Sequence, residues 1–281
     1  MAAIQFRNIR VLRIFIIDYF MQNDKRQNKV VLITGGSGGV GRASAERFLM
    51  DGYRVVIADI NKTLMDETLG VLEEKHAGDV KRVLCDVTKT DDCRKAVEKS
   101  IDSFGRLDVL INSAGVIKKG PVEEVPETDW DFLIDVNLKG TFLMCHHAVP
   151  QLKKTRGVIL NIASDAGIFG FTNHAVYCAS KGGVVLMSRA MALDLAPHRV
   201  RVIPVCPGNI MSPMLEYEAR TSGKKPDVYF KEALAEFPQG DAARFITPGE
   251  VANLLAFLAS DKAQAMTGGP MHMDFGTTAG R

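Results

Sequence analysis

The stretch Val30–Gly41, "VVLITGGSGGVG", decides how the rest of the chain reads. Its opening residues are apolar and largely β-branched, the composition of a short buried strand. The run breaks into glycines. "RASAERFLMDG" (42–52) then follows with helical periodicity and a glycine stop. Strand, glycine turn and helix in that order begin a βαβ unit.

Working outward, the same alternation continues. Strand signals recur in "YRVVIAD" (53–59), "VKRVLCDV" (80–87), "LDVLINSAG" (107–115), "GVILNIAS" (157–164), "VRVIPVCPG" (200–208) and "MHMDFG" (271–276). Helical patterns lie between them, at about 91–104, 127–138 and 141–153. Another carries Tyr177 and Lys181 and runs to about Leu195. A last helix starts at "TPGEVANLLAFLAS", with Thr247 as N-cap and Pro248 in the first position. Such alternation implies right-handed crossovers and a parallel sheet covered on both faces. The expected fold is α/β, a three-layer Rossmann-type doubly wound parallel sheet of about seven strands. No linker divides the chain, so residues 29–281 read as a single domain. Residues 212–244 carry Pro213, Gly223, Pro226, Pro238 and Gly240 and read as irregular, a substrate lid.

The chain has 281 residues, 46% apolar and 24% charged, with a net charge of +2. This balance offers no argument for nucleic acid or for a membrane surface. The five cysteines, Cys85, Cys93, Cys145, Cys178 and Cys206, are odd in number and contain no C-x-x-C pair. They read as reduced thiols of a cytoplasmic protein, with no disulfide framework and no metal site. Residues 1–28 are a separate N-terminal extension. Arg7, Arg10 and Arg13 precede any acid, and the apolar run Ile14–Ile17 is too short to span a bilayer. An arm or an overextended start, with Met21 as the natural first residue, fits better than a targeting segment.

The glycine loop is the first functional signal. Thr34–Gly41 fits G-x-x-x-G-x-G at Gly35, Gly39 and Gly41, and G-x-G-x-x-G at Gly36, Gly38 and Gly41. Between a strand and a helix, such a loop lets the backbone approach a pyrophosphate at the helix N-terminus. Ser37 and Val40 sit within it. Asp59 ends the second strand, 18 residues past Gly41, and is followed by Ile60. A carboxylate there accepts hydrogen bonds from ribose hydroxyls and repels a 2′-phosphate, which favours NAD over NADP. Asp86 and Val87 end the third strand, where they can contact adenine. Asn112, Ala114 and Gly115 end the fourth and can line the cofactor groove.

With these pieces in order, the sequence resembles the short-chain dehydrogenase/reductase family over nearly all of residues 29–276. The resemblance rests on T-G-x-x-x-G-x-G at Thr34–Gly41, Asp86, and N-x-A-G at Asn112–Gly115. It continues with Asn137 in "DVNLKG", Ser164, Y-x-x-x-K at Tyr177–Lys181, and Pro207–Gly208. Ser164 lies 13 residues before Tyr177. Two departures are Ser113, where a second Asn is frequent, and Phe275 in the terminal "DFG". The resemblance implies an NAD(P)-dependent oxidoreductase acting on an alcohol or carbonyl. Asn137, Ser164, Tyr177 and Lys181 match the catalytic tetrad, and a homotetramer, or a homodimer, is the implied assembly.

The residue types suit hydride chemistry. Oxidising a secondary alcohol removes a hydride from carbon and a proton from oxygen. Tyr177 can take the proton, although a free phenol titrates near 10. Lys181, one helical turn along, can stabilise the phenolate and bind the nicotinamide ribose. Ser164 can hold the substrate oxygen. The resemblance gives Asn137 a water that links Lys181 to solvent; a brace for its helix is the alternative. Pro207, Gly208, Ile210 and Ser212 should close over the nicotinamide. His174 reads as a surface-loop residue, with a place at the substrate opening as the alternative. The expected substrate is a sugar, polyol or other small alcohol. A 3-oxoacyl-thioester reductase and a non-catalytic NAD sensor are the competing readings.

Overall fold

The computed structural model describes residues 28–279. Residues 1–27 of the N-terminal extension therefore lie outside the described residues. Seven strands form one sheet: β1 (Val30–Thr34), β2 (Arg54–Asp59), β3 (Val80–Leu84), β4 (Val109–Asn112), β5 (Val158–Ile162), β6 (Arg201–Pro207) and β7 (Met271–Met273). Their order is β3-β2-β1-β4-β5-β6-β7, and every pair is parallel. β1, β4 and the interior of β2 are wholly buried, as a sheet covered on both faces requires. β3, at one edge, is only partly covered.

The helices are α1 (Gly39–Met50), α2 (Lys62–Glu73), α3 (Thr90–Phe104), α4 (Glu127–Leu133), α5 (Gly140–Thr155), α6 (Ala175–Leu195), α7 (Pro213–Thr221), α8 (Pro226–Ala235) and α9 (Pro248–Ala259). They sort into two layers. On one face, Phe48 of α1, Met65 of α2 and Leu255 of α9 pack with Val31, Ile57 and Leu160. On the other, Ala96 of α3, Met144 of α5 and Ala192 of α6 pack with Leu32, Leu110 and Ile159. Strand order reverses between β1 and β4, which opens a crevice beyond their carboxyl ends. The Thr34 hydroxyl fixes the lip of that crevice: it accepts from Ser113 N at 3.1 Å and Ala114 N at 3.2 Å.

Three local expectations need correction. The stretches 127–138 and 141–153 are not two helices. They form one continuous helical run from Glu127 to Thr155, with a π-helical segment at Ile134–Lys139. Gly140 does not break it. The glycine instead admits Val87, whose Cγ2 would lie 2.7 Å from any Cβ added there. Residues 212–244 are not irregular either. Pro213 and Pro226 each begin a helix, where a missing N–H is harmless, so proline marks starts and not breaks. Leu215 and Phe237 of this segment form a small core with Phe245, just past its end, and Tyr229 and Phe230 pack against it. Its two ends are tied by Met211 N to Ile246 O (2.9 Å) and Ile246 N to Asn209 O (3.0 Å). Finally, β3 stops at Leu84, so Asp86 and Val87 lie just past the strand.

Among the described residues, no helix is long and apolar enough to cross a membrane.

Candidate active site

A cavity of about 1610 Å³ opens where the strands end. Its floor starts at the glycine loop. Gly35 has φ +61°, a region that disfavours side chains, and a Cβ there would sit 2.9 Å from the Ala114 backbone. A Cβ on Gly41 would fall 2.0 Å from Gly35 O, so nothing larger than hydrogen fits. The loop delivers its backbone to the start of α1. There Gly38 is the N-cap, with no side-chain cap and no acid in the first turn. The free N–H groups of that turn, with the positive end of the helix dipole, are a cradle for a pyrophosphate. The donor chemistry and the space fit a dinucleotide.

Asp59 lines the same cavity. Its carboxylate is held in place from two sides: Oδ2 accepts from Ser37 N at 3.0 Å and Oδ1 from Asn61 N at 2.9 Å. The remaining lone pairs are left for ribose hydroxyls. Ile60, Asp86, Val87, Val40, Gly39, Ala114 and Gly115 also line it, as do Pro207, Gly208, Ile210 and Ser212. Gly39 and Ser212 meet across the cavity, with Ser212 Cβ 3.2 Å from a Cβ placed on Gly39. Ser212 also caps α7, accepting from Leu215 N at 3.5 Å.

Tyr177, Lys181 and Ser164 converge on this cavity from the first turns of α6 and the end of β5. Lys181 is buried and donates to Ile162 O at 2.9 Å. Its Nζ lies 5.8 Å from the Tyr177 ring centroid. Burial disfavours the ammonium and brings Lys181 down to about 8. Burial likewise pushes the Tyr177 phenol above its ordinary value, and the neighbouring Ser164 hydroxyl opposes that shift. Desolvation sets the direction here, contrary to what the four-residue spacing alone suggests. Ser164 Oγ donates to Asp165 Oδ1 at 2.8 Å and accepts from Ala166 N at 3.1 Å. A substrate oxygen must therefore compete with Asp165 for that hydroxyl proton.

Three expected site residues turn their side chains elsewhere. Ser37 is buried, and its hydroxyl has no partner. It contributes backbone to Asp59 and does not line the cavity. Asn112 points into the core and donates to Asn161 Oδ1 at 2.8 Å, in a chain that continues to Ser188 Oγ. Asn137 spends its amide on bracing. Oδ1 accepts from Val116 N (2.8 Å), and Nδ2 donates to Val116 O (2.9 Å) and Ser180 Oγ (3.1 Å). It holds the strand-end loop against α6 from within the π segment, a helical irregularity that often marks functional sites.

His174 takes the alternative place at the substrate opening, and residues that spacing did not identify join it. His174 lines the cavity with its ring 6.3 Å from that of Tyr177. Its Nδ1 pairs with Thr172 O at 2.6 Å, and burial lowers its pKa. Lys119, Glu218 and Tyr229 line the same cavity and bond to one another. Lys119 and Glu218 stand 99 residues apart in the chain, and no local pattern joins them.

Comparison with known proteins agrees with this architecture. The family model described as short chain dehydrogenase matches residues 29–223. A 3-oxoacyl-[acyl-carrier-protein] reductase of Thermotoga maritima is 38% identical over 251 residues, 89% of this chain and 98% of that protein. A meso-2,3-butanediol dehydrogenase of Serratia marcescens is 38% identical over 254 residues, 90% of this chain and 95% of that protein. Among solved structures, a 3-ketoacyl-(acyl-carrier-protein) reductase from Brucella melitensis complexed with NADH superposes with TM-score 0.79 and 31% identity. It covers 90% of this chain and 99% of its own.

Proposed function

The chain belongs to the short-chain dehydrogenase family of NAD(P)-dependent oxidoreductases, and from that premise we propose that it is an NAD-dependent dehydrogenase of a small secondary alcohol, polyol or sugar. The observation that carries the cofactor choice is Asp59, a carboxylate locked by two backbone N–H groups at the strand end. A 2′-phosphate brought there would meet a like charge in a partly buried site.

When bound, the nicotinamide supplies the hydride acceptor or donor. The protein does the rest. Ser164 Oγ hydrogen-bonds the substrate oxygen and aims its carbon. Tyr177 exchanges the proton at its phenolic oxygen. Lys181 sits behind the phenol, where its charge favours phenolate. Asn137 keeps the loop at Val116 and the helix at Ser180 in register around them. Residues 212–244, with their small core and tied base, serve as the lid that shuts water out.

A second reading, reduction of a 3-oxoacyl thioester, is favoured by the Thermotoga and Brucella relatives. One assay separates the two. Initial rates of nicotinamide absorbance change are measured on secondary alcohols, polyols, sugars and 3-oxoacyl thioesters, with each dinucleotide. Our reading expects alcohol turnover with kcat/KM for NAD at least about tenfold that for NADP. Turnover confined to thioesters with NADPH would replace it with the second.

A further inference from the structure

The cavity contains a charged cluster that the proton and hydride steps do not use. Lys119 lies on the loop after β4, Glu218 on α7 and Tyr229 on α8. Lys119 and Glu218 form an ion pair. Lys119 Nζ also donates to Tyr229 Oη at 3.0 Å, and that hydroxyl donates to Glu218 Oε2 at 3.0 Å. The Glu218 side chain is only 12% exposed. The loop carrying Lys119 is anchored on the scaffold side, because Gly120 N donates to Asn173 O at 2.9 Å. The triangle therefore joins a fixed wall to both helices of the segment 212–244.

A half-buried ion pair facing a substrate cavity is costly to dehydrate unless the incoming group replaces what water supplied. Burial alone would lower Lys119, yet its bonds to Glu218 and Tyr229 hold it above its ordinary value. An alkyl chain pressed on this cluster strips its water and returns nothing. A hydroxyl group returns both halves: its proton to Glu218, its lone pair to Lys119 or Tyr229. His174 adds a further acceptor on the same cavity, since pairing of Nδ1 with Thr172 O leaves Nε2 for a ligand. The cluster and Tyr177 line the same cavity, so a substrate held at the phenol can extend towards it.

We propose that Glu218, Lys119 and Tyr229 form a subsite for a second substrate oxygen, so that the enzyme selects alcohols carrying a further hydroxyl over otherwise equal mono-alcohols. The inference rests on the dehydrogenase reading above and names which alcohols it covers.

The test uses the full chain with NAD. Values of kcat/KM are measured for 1,2- and 1,4-cyclohexanediol and for cyclohexanol, rings that differ in one hydroxyl. The wild type should prefer at least one diol by about tenfold or more. Glu218→Ala should bring that ratio towards one, mainly through a higher KM for the diol. Tyr229→Phe removes a single oxygen and should lower the ratio in the same direction, so the test does not depend on Glu218→Ala folding well. Equal rates on diol and mono-alcohol in the wild type would overturn the subsite. So would a diol preference that persists in a folded, active Tyr229→Phe and Glu218→Ala. Either result leaves the dehydrogenase reading standing. Failure of the wild type on every alcohol and ketone of the wider panel would instead remove both.

Discussion

Tyr177 and Lys181 carry opposed demands. Both are buried, which disfavours charge on either, yet proton transfer needs the phenol to ionise near a cation. Replacing Tyr177 by Phe removes the proton acceptor and little volume. Turnover should fall by about 10²–10⁴-fold, while NAD titrated by fluorescence binds within about twofold of the wild type. Retained turnover would move the acid/base role elsewhere. Lys181 permits a stability test with a definite sign. Its pKa falls from the ordinary 10.5 to about 8 in the folded protein, so the folded state binds fewer protons than the unfolded one between those values. Stability should therefore rise with pH from about 8 to 10.5, and the cost of burying the ammonium is fully present below 8. That cost is at most about 3 kcal/mol, less whatever the bond to Ile162 O returns. Lys181→Met should thus be as stable as the wild type or more so at pH 7 in denaturant unfolding, and the difference should shrink by pH 10. A clear loss of stability at pH 7 would show that the lysine helps to hold the fold, separate from its catalytic placement.

At the scale of elements, strand–loop–helix order was readable because each signal is local. "VVLITGG" announces both its strand and its turn, and Thr247–Glu250 forms the capping box that the threonine and proline suggest. Thr247→Ala should cost about 1 kcal/mol by thermal unfolding, since it removes an acceptor for Glu250 N and leaves the helix start bare. Gly41→Ala tests the turn itself. With Gly35 O at 2.0 Å from the added carbon, the loop must move, and NAD binding should be lost by calorimetry even where the far-ultraviolet spectrum is retained. What could not be read was set by contacts distant in sequence. Asn112 and Asn137 carry the right names for a cofactor groove, but Asn161, Ser180 and Val116 draw their amides inward. Pro213 and Pro226 look like breakers until the helices they start are seen. Gly140 looks like a helix end, and only Val87 explains why a glycine is needed there. The cluster at Lys119, Glu218 and Tyr229 comes together only when three separate segments do.

For the whole molecule, the remaining question is what covers its apolar surface. Phe142 on α5 is 50% exposed, and Leu186 and Leu193 on α6 are 66% and 78% exposed. These helices belong to one layer. Phe257, 44% exposed, lies on α9 in the other. Scattered exposed side chains are ordinary, but Leu186 and Leu193 stand seven residues apart and so share one stripe of α6. The resemblance implies a homotetramer or a homodimer, and this stripe is a surface that a second copy would cover. Light scattering on the eluting protein should then give more than one chain mass. Leu186→Glu together with Leu193→Glu places charge on the stripe, so the mass should fall. A mass unchanged in the folded variant would mean that the stripe is not an interface.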